Sequence, residues 1–63
     1  MIKQWAKNSL ASFRAGDHEA GVLWLRALVD QYHDSRTAEI LWAVEKEDWS
    51  GVITALELTM KAL

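Results

Sequence analysis

Few side chains in this 63-residue chain could do covalent or metal chemistry. His18 and His33 are its only imidazoles, and it has no cysteine. Disulfides, thiol catalysis and cysteine-based zinc sites are therefore excluded. Asp34 follows His33 directly, but adjacent residues point in different directions and no third ligand stands at a useful spacing. His18 reads as a packing or surface residue in the first turn of a helix. His33 ends a helix, where the dipole favours a protonated imidazole. Glu45, Glu47 and Asp48 gather three carboxylates, which read as a solvated acidic turn or as a place to receive a basic partner. No glycine-rich phosphate loop, no Ser-His-Asp arrangement and no His-x-x-x-His pair occurs. An enzyme needs a nucleophile or an acid–base pair in a pocket. None is expected here, and neither is a cofactor or a resident metal.

Four tryptophans stand out in so short a chain. Tryptophan is among the residue types that most often dominate binding energy at interfaces. Trp24 lies in the apolar segment Val22-Leu23-Trp24-Leu25 and is expected in the core. Trp5 and Trp42 divide between core and contact roles. Trp49 follows Asp48 and is expected to pack back on a third helix.

These residues must be positioned by helices. The chain has no proline, its glycines are Gly16, Gly21 and Gly51, and no segment alternates at period two. Ile2, Trp5, Ala6, Leu10 and Phe13 follow helical spacing, which predicts a first helix over 2–15 ended by Gly16 in a left-handed C′ position. Lys3, Lys7 and Arg14 line another face of that helix. Asp17 is a good N-cap for a second helix running to about Tyr32. Its apolar residues cover most of its circumference, so it is expected to be buried on most sides or to keep a face for a partner. Gly21 inside it costs up to ~1 kcal/mol against alanine, which suits a place where another backbone comes close. A third helix from Arg36 to Glu45 or Lys46, capped by Asp34 or Ser35, turns Thr37, Ile40, Leu41 and Val44 inward. A fourth begins after Asp48, with Val52, Ile53, Leu56, Met60 and Leu63 on one stripe and Ala55, Leu58 and Ala62 on a second, uncovered one.

The fold class is thus all-α: one domain over 1–63, built as two helical hairpins, 2–33 and 35–63. Asp17-His18 recurs 31 positions later as Asp48-Trp49, with Val22 on Ile53, Leu25 on Leu56 and Val29 on Met60. A rival offset of 34 sets Gly21 on Ala55 and Leu28 on Ala62. The run Gly16-Asp17-His18, Gly21-Val22, Leu25, Leu28-Val29, Tyr32-His33-Asp34-Ser35, preceded by Trp5 and Phe13, resembles a tetratricopeptide-type repeat. The resemblance is strongest over residues 5–35. Departures are Gly21 at the small alanine position, Leu25 at the aromatic, His33 at the proline, and Asn8-Ser9 in the first helix. It implies a scaffold that binds peptides or helices. Fewer than three such units are seldom stable alone, so completion by oligomerisation is expected.

The net charge is −2, which argues against nucleic acid. The longest apolar run, Val22 to Leu25, is far short of a membrane span. The N-terminal stretch lacks the apolar core of a secretory signal, so a cytoplasmic location is expected. The functional expectation is a small interaction module, an adaptor, co-chaperone or anti-factor. It would hold a partner helix or peptide in a groove between the first and third helices. Trp5, Leu41 and Trp42 would anchor the partner, with Lys3, Lys7, Glu39 and Glu45 on the rim. Ala55, Leu58 and Ala62 would mediate self-association, a homodimer foremost. The alternatives are a homodimeric helical regulator that meets nucleic acid through Lys3, Lys7, Arg14 and Arg26, and a purely structural homo-oligomer.

Overall fold

The computed structural model describes residues 2–63 and contains four α-helices: α1 (Ile2–Arg14), α2 (His18–Gln31), α3 (Ser35–Glu45) and α4 (Trp49–Ala62). Successive helices pair as hairpins, α1 with α2 and α3 with α4. The hairpins are joined by packing of α1 on α4. Between α2 and α3 the structure is open.

Local chemistry sets the helix ends. The Asp17 carboxylate accepts from the Ala20 N–H at 3.2 Å, and the Asp48 carboxylate from the Gly51 N–H at 3.1 Å. Both stand where four N–H groups lack intrahelical partners. Asp34 caps α3 through a reciprocal box: its carboxylate accepts from the Thr37 N–H, and the Thr37 hydroxyl accepts from the Asp34 N–H at 2.9 Å. Gly16 closes α1 with φ +82°, the left-handed geometry that costs glycine nothing.

The two hairpins repeat at an offset of 31 positions. Asp17 (φ −89°, ψ 76°) and Asp48 (φ −87°, ψ 78°) share one backbone conformation. The Asp17 N–H donates to the Ser12 carbonyl at 2.9 Å, and the Asp48 N–H to the Ala43 carbonyl at 3.0 Å. Burial follows the same register. Ala6 and Thr37, Ser9 and Ile40, Leu25 and Leu56, and Leu28 and Thr59 are each fully enclosed. One difference is compensated by volume: the first hairpin has Phe13 and Gly21 where the second has Val44 and Val52.

Ala6, Leu10, Phe13, Leu25, Leu28, Val29, Ile40, Val52 and Leu56 form the core. Three hydroxyls lie within it, all hydrogen-bonded. Ser9 donates to the Gly21 carbonyl and Thr59 to that of Ala55, at 2.8 and 2.9 Å; Thr37 donates to that of Asp34 at 2.9 Å. The close approach anticipated at Gly21 is made by a side chain. A Cβ there would stand 2.8 Å from the Phe13 ring.

Of the two arrangements expected for α2, the structure has the one that leaves an apolar face open, since its enclosed residues are Gly21, Leu25, Leu28 and Val29. One expectation is corrected. Trp24 is not in the core: it is 39% exposed, and its neighbour Leu23 68%. The helix has neighbours only on the sides that α1 and the adjoining core supply, and its remaining apolar face meets water.

Candidate functional surface

The open side of the molecule is a groove of about 630 Å³ between α2 and α3. From α2 it is lined by Val22 and Val29 with Arg26 and Asp30, and from the link that follows by His33. From α3 come Leu41 and Trp42 with Ala38, Val44 and Glu45. The spacing of Val22, Arg26 and Val29 puts these residues on one stripe of α2, and Ala38, Leu41, Trp42 and Glu45 do the same on α3. Core burial of Leu25 and Leu28 directs this α2 stripe outward, and Thr37 and Ile40 do the same for α3.

The groove is apolar at its centre and charged at its edges. Trp42 is 60% exposed and Leu41 36%. The Lys46 ammonium lies 4.8 Å from the Trp42 ring centroid, in reach of a cation–π attraction. A second, shallower depression adjoins through Val22 and Arg26. It is bounded by His18, Leu23, Glu47 and Trp49, so exposed Leu23 continues the apolar surface towards the turn before α4.

At the α2–α3 link, the Asp34 carboxylate is held below its ordinary value, first by the Thr37 N–H; desolvation opposes this, and the Tyr32 hydroxyl and the Arg36 N–H and charge add to the lowering. Tyr32 is raised in turn, first by its hydrogen bond to Asp34. These shifts belong to a helix cap and define no reactive centre.

The concavity that holds the expected α3 residues lies between α2 and α3 and not between α1 and α3. Leu41, Trp42 and Glu45 do share one concavity, but their partners come from α2. Lys3 and Lys7 lie on α1 beside Met60 of α4. Trp5 is half-buried against the core. Glu39 lies in a dip between α3 and α4 with Arg36, Ala55 and Leu58. Of the residues assigned to self-association, Leu58 is 56% exposed, Ala62 exposed and Ala55 half-buried. Of the four basic residues considered for nucleic acid, Lys3, Lys7 and Arg14 lie on α1 and Arg26 on α2. Arg14 is bridged to Glu57, and Arg26 shares its groove with two carboxylates.

The ring contacts of Trp49 are with α1 and α2. It stacks on His18 and, more distantly, on Phe13. Val22, Arg26, Val29 and Asp30 escaped the reading of the sequence as surface residues of a groove. The signal that points to them is the 31-residue register, which sets Arg26 on Glu57 and Glu45 on Arg14.

Among the described residues no group of three or more His, Asp or Glu side chains is placed to hold a metal ion. Among the same residues no helix is long and apolar enough to cross a membrane. By fold the chain is an all-α domain of two helical hairpins. No protein-family model, curated protein or solved structure matches it.

Proposed function

We propose that the protein is a small interaction module whose α2–α3 groove holds a helix or peptide of a partner protein. The observation that carries this reading is Trp42, a large apolar ring 60% exposed beside Leu41 on the wall of a concavity. Exposed apolar surface rimmed by charge marks protein-binding sites more often than bare surface does. Helix-in-groove recognition takes its affinity from such anchors, and rim charges orient the ligand. Arg26, Asp30 and Glu45 are the rim charges in this reading. The tetratricopeptide resemblance supports it to the extent that two hairpins succeed each other in register. An adaptor, co-chaperone or anti-factor acting in the cytoplasm is the role such a module fills.

A photo-crosslinking residue introduced at position 42 in cells that make the protein tests the reading. Adducts to a polypeptide are expected from position 42 and not from exposed Gln4 on α1, and Leu41→Glu should remove them. Equal capture from both positions, or none from position 42, would refute the groove as the binding surface.

A further inference from the structure

The repeat that relates the hairpins extends to their outer seams. Where α1 meets α4, Leu10 is buried and the Arg14 guanidinium donates to the Glu57 carboxylate. Met60 and Lys61 flank that seam beside Leu10. Moving each position by one repeat turns Leu10 into Leu41, Met60 into Val29, Arg14 into Glu45, Glu57 into Arg26 and Lys61 into Asp30. All five of these counterparts line the α2–α3 groove. The apolar positions stay apolar, and the three charges all reverse sign. The groove is therefore the open counterpart of a seam that is closed on the other side of the same molecule. The difference in burial falls on α3: Leu10 is 6% exposed and Leu41 36%, while Val29 is 7% exposed and its counterpart Met60 half-buried. Arg14–Glu57 is the one ion pair among the described residues, so Arg26 and Glu45 line one groove without forming an ion pair.

α2 carries the basic member of the open seam and α3 the acidic member, so one surface holds both halves of the pair. Such a surface complements a copy of itself turned about a two-fold axis, where residue i meets j and j meets i. Resting on the reading of the groove as a protein-binding site, we propose that its occupant is the same groove of a second copy of this chain. In that dimer α3 of each copy lies on α2 of the other, as α1 lies on α4 within one chain. Glu45 pairs with the partner's Arg26, and Arg26 with the partner's Glu45. Trp42, standing where the closed seam has small Ala11, adds apolar area to the contact. Within one chain, the link between α2 and α3 runs extended at Tyr32 (φ −142°) and Asp34 (φ −156°), unlike the links inside the two hairpins, and the seam between these helices stays open.

Sedimentation equilibrium on the full chain tests this with four proteins: wild type, Arg26→Glu, Glu45→Arg and the double variant, each checked for helicity. The wild type is expected to form a dimer. Each single variant sets like charges against each other twice, which should weaken the dimer about tenfold or more. An equimolar mixture of the two single variants should recover wild-type affinity as a mixed dimer, because each supplies the charge the other has lost. The double variant should pair with itself and not with wild type. A wild type that stays monomeric at millimolar concentration overturns the proposal, and position 42 crosslinking to a different protein would then leave the protein-binding reading standing. Single variants that dimerise like wild type, or that are not rescued by mixing, overturn it too. So does a dimer split by Leu58→Glu but not by the charge variants, which would assign the contact to α4.

Discussion

His18 and Trp49 occupy matching positions in the two hairpins and stack on each other, with ring centroids 4.1 Å apart and planes inclined by 18°. Phe13 extends the stack, its centroid 5.8 Å from that of Trp49. The first residue of α2 is thereby held against the first residue of α4, and the core residue Phe13 lies against both rings. Aromatic pairs contribute ~0.5–1.5 kcal/mol beyond the area they bury. Trp49→Ala is expected to lower stability by about 2 kcal/mol and His18→Ala by about 1 kcal/mol, with Trp49→Phe nearer to wild type. Urea unfolding followed by circular dichroism measures all three. A Trp49→Ala midpoint equal to wild type would mean that the stack contributes nothing.

Gly21 of α2 meets both Phe13 and Ser9 of α1. Alanine at 21 improves helix propensity by ~1 kcal/mol but drives a methyl into the Phe13 ring. Overpacking of this kind costs ~1–3 kcal/mol, so Gly21→Ala is expected to destabilise. Adding Phe13→Leu should make the effect of that alanine smaller, and a double-mutant cycle reads the coupling. Ser9→Ala removes the donor to the Gly21 carbonyl and should cost about 1 kcal/mol. Additive effects at 13 and 21 would contradict the packing account.

Glu47 adopts φ +55° at the position where the first hairpin has Gly16. Left-handed backbone costs a residue with a Cβ ~1–2 kcal/mol, while glycine costs some conformational entropy in the unfolded chain. The difference favours glycine, so Glu47→Gly should raise stability by about 0.5 kcal/mol or more. Gly16→Ala should do the reverse. Thermal unfolding of the two variants decides the sign.

Asp34 links stability to pH. Its folded-state value lies below the unfolded one, first because of the Thr37 N–H. A depressed carboxylate binds fewer protons in the folded state, so its stabilisation is complete above the unfolded value and is lost as pH falls through the folded one. Asparagine also caps helices well but does not titrate. Asp34→Asn should therefore stay folded at neutral pH and lose less stability than wild type on acidification below the ordinary carboxylate range. Parallel melting curves for the two proteins would contradict the assignment.

Much of the fold is legible residue by residue. Asp17 and Asp48 are caps because a short carboxylate reaches an orphaned N–H two or three residues on. Gly16 is a stop because only glycine takes its conformation without strain. The groove was less legible. Leu41, Trp42 and Glu45 share one α3 surface, as their spacing indicates, but the residues opposite them come from α2 and not from α1. Periodicity tells which stripe of a helix is apolar and does not tell which neighbour that stripe meets. Trp24 was misplaced for the same reason: α2 has more apolar residues than its neighbours can cover.

The order of helices, their ends and the 31-residue register were determined by the sequence itself, because each depends on chemistry within a few residues along the chain. The tertiary structure alone decided that α1 closes on α4 while α2 and α3 stay apart. It thereby separated Lys3, Lys7 and Trp5 from Leu41 and Trp42, and brought Arg26 and Glu45 to one groove. Such choices depend on which of several similar apolar faces come together. The balance is set by side-chain volumes, as with Phe13 over Gly21, and by the extended backbone at Tyr32 and Asp34 where the other two links turn tightly.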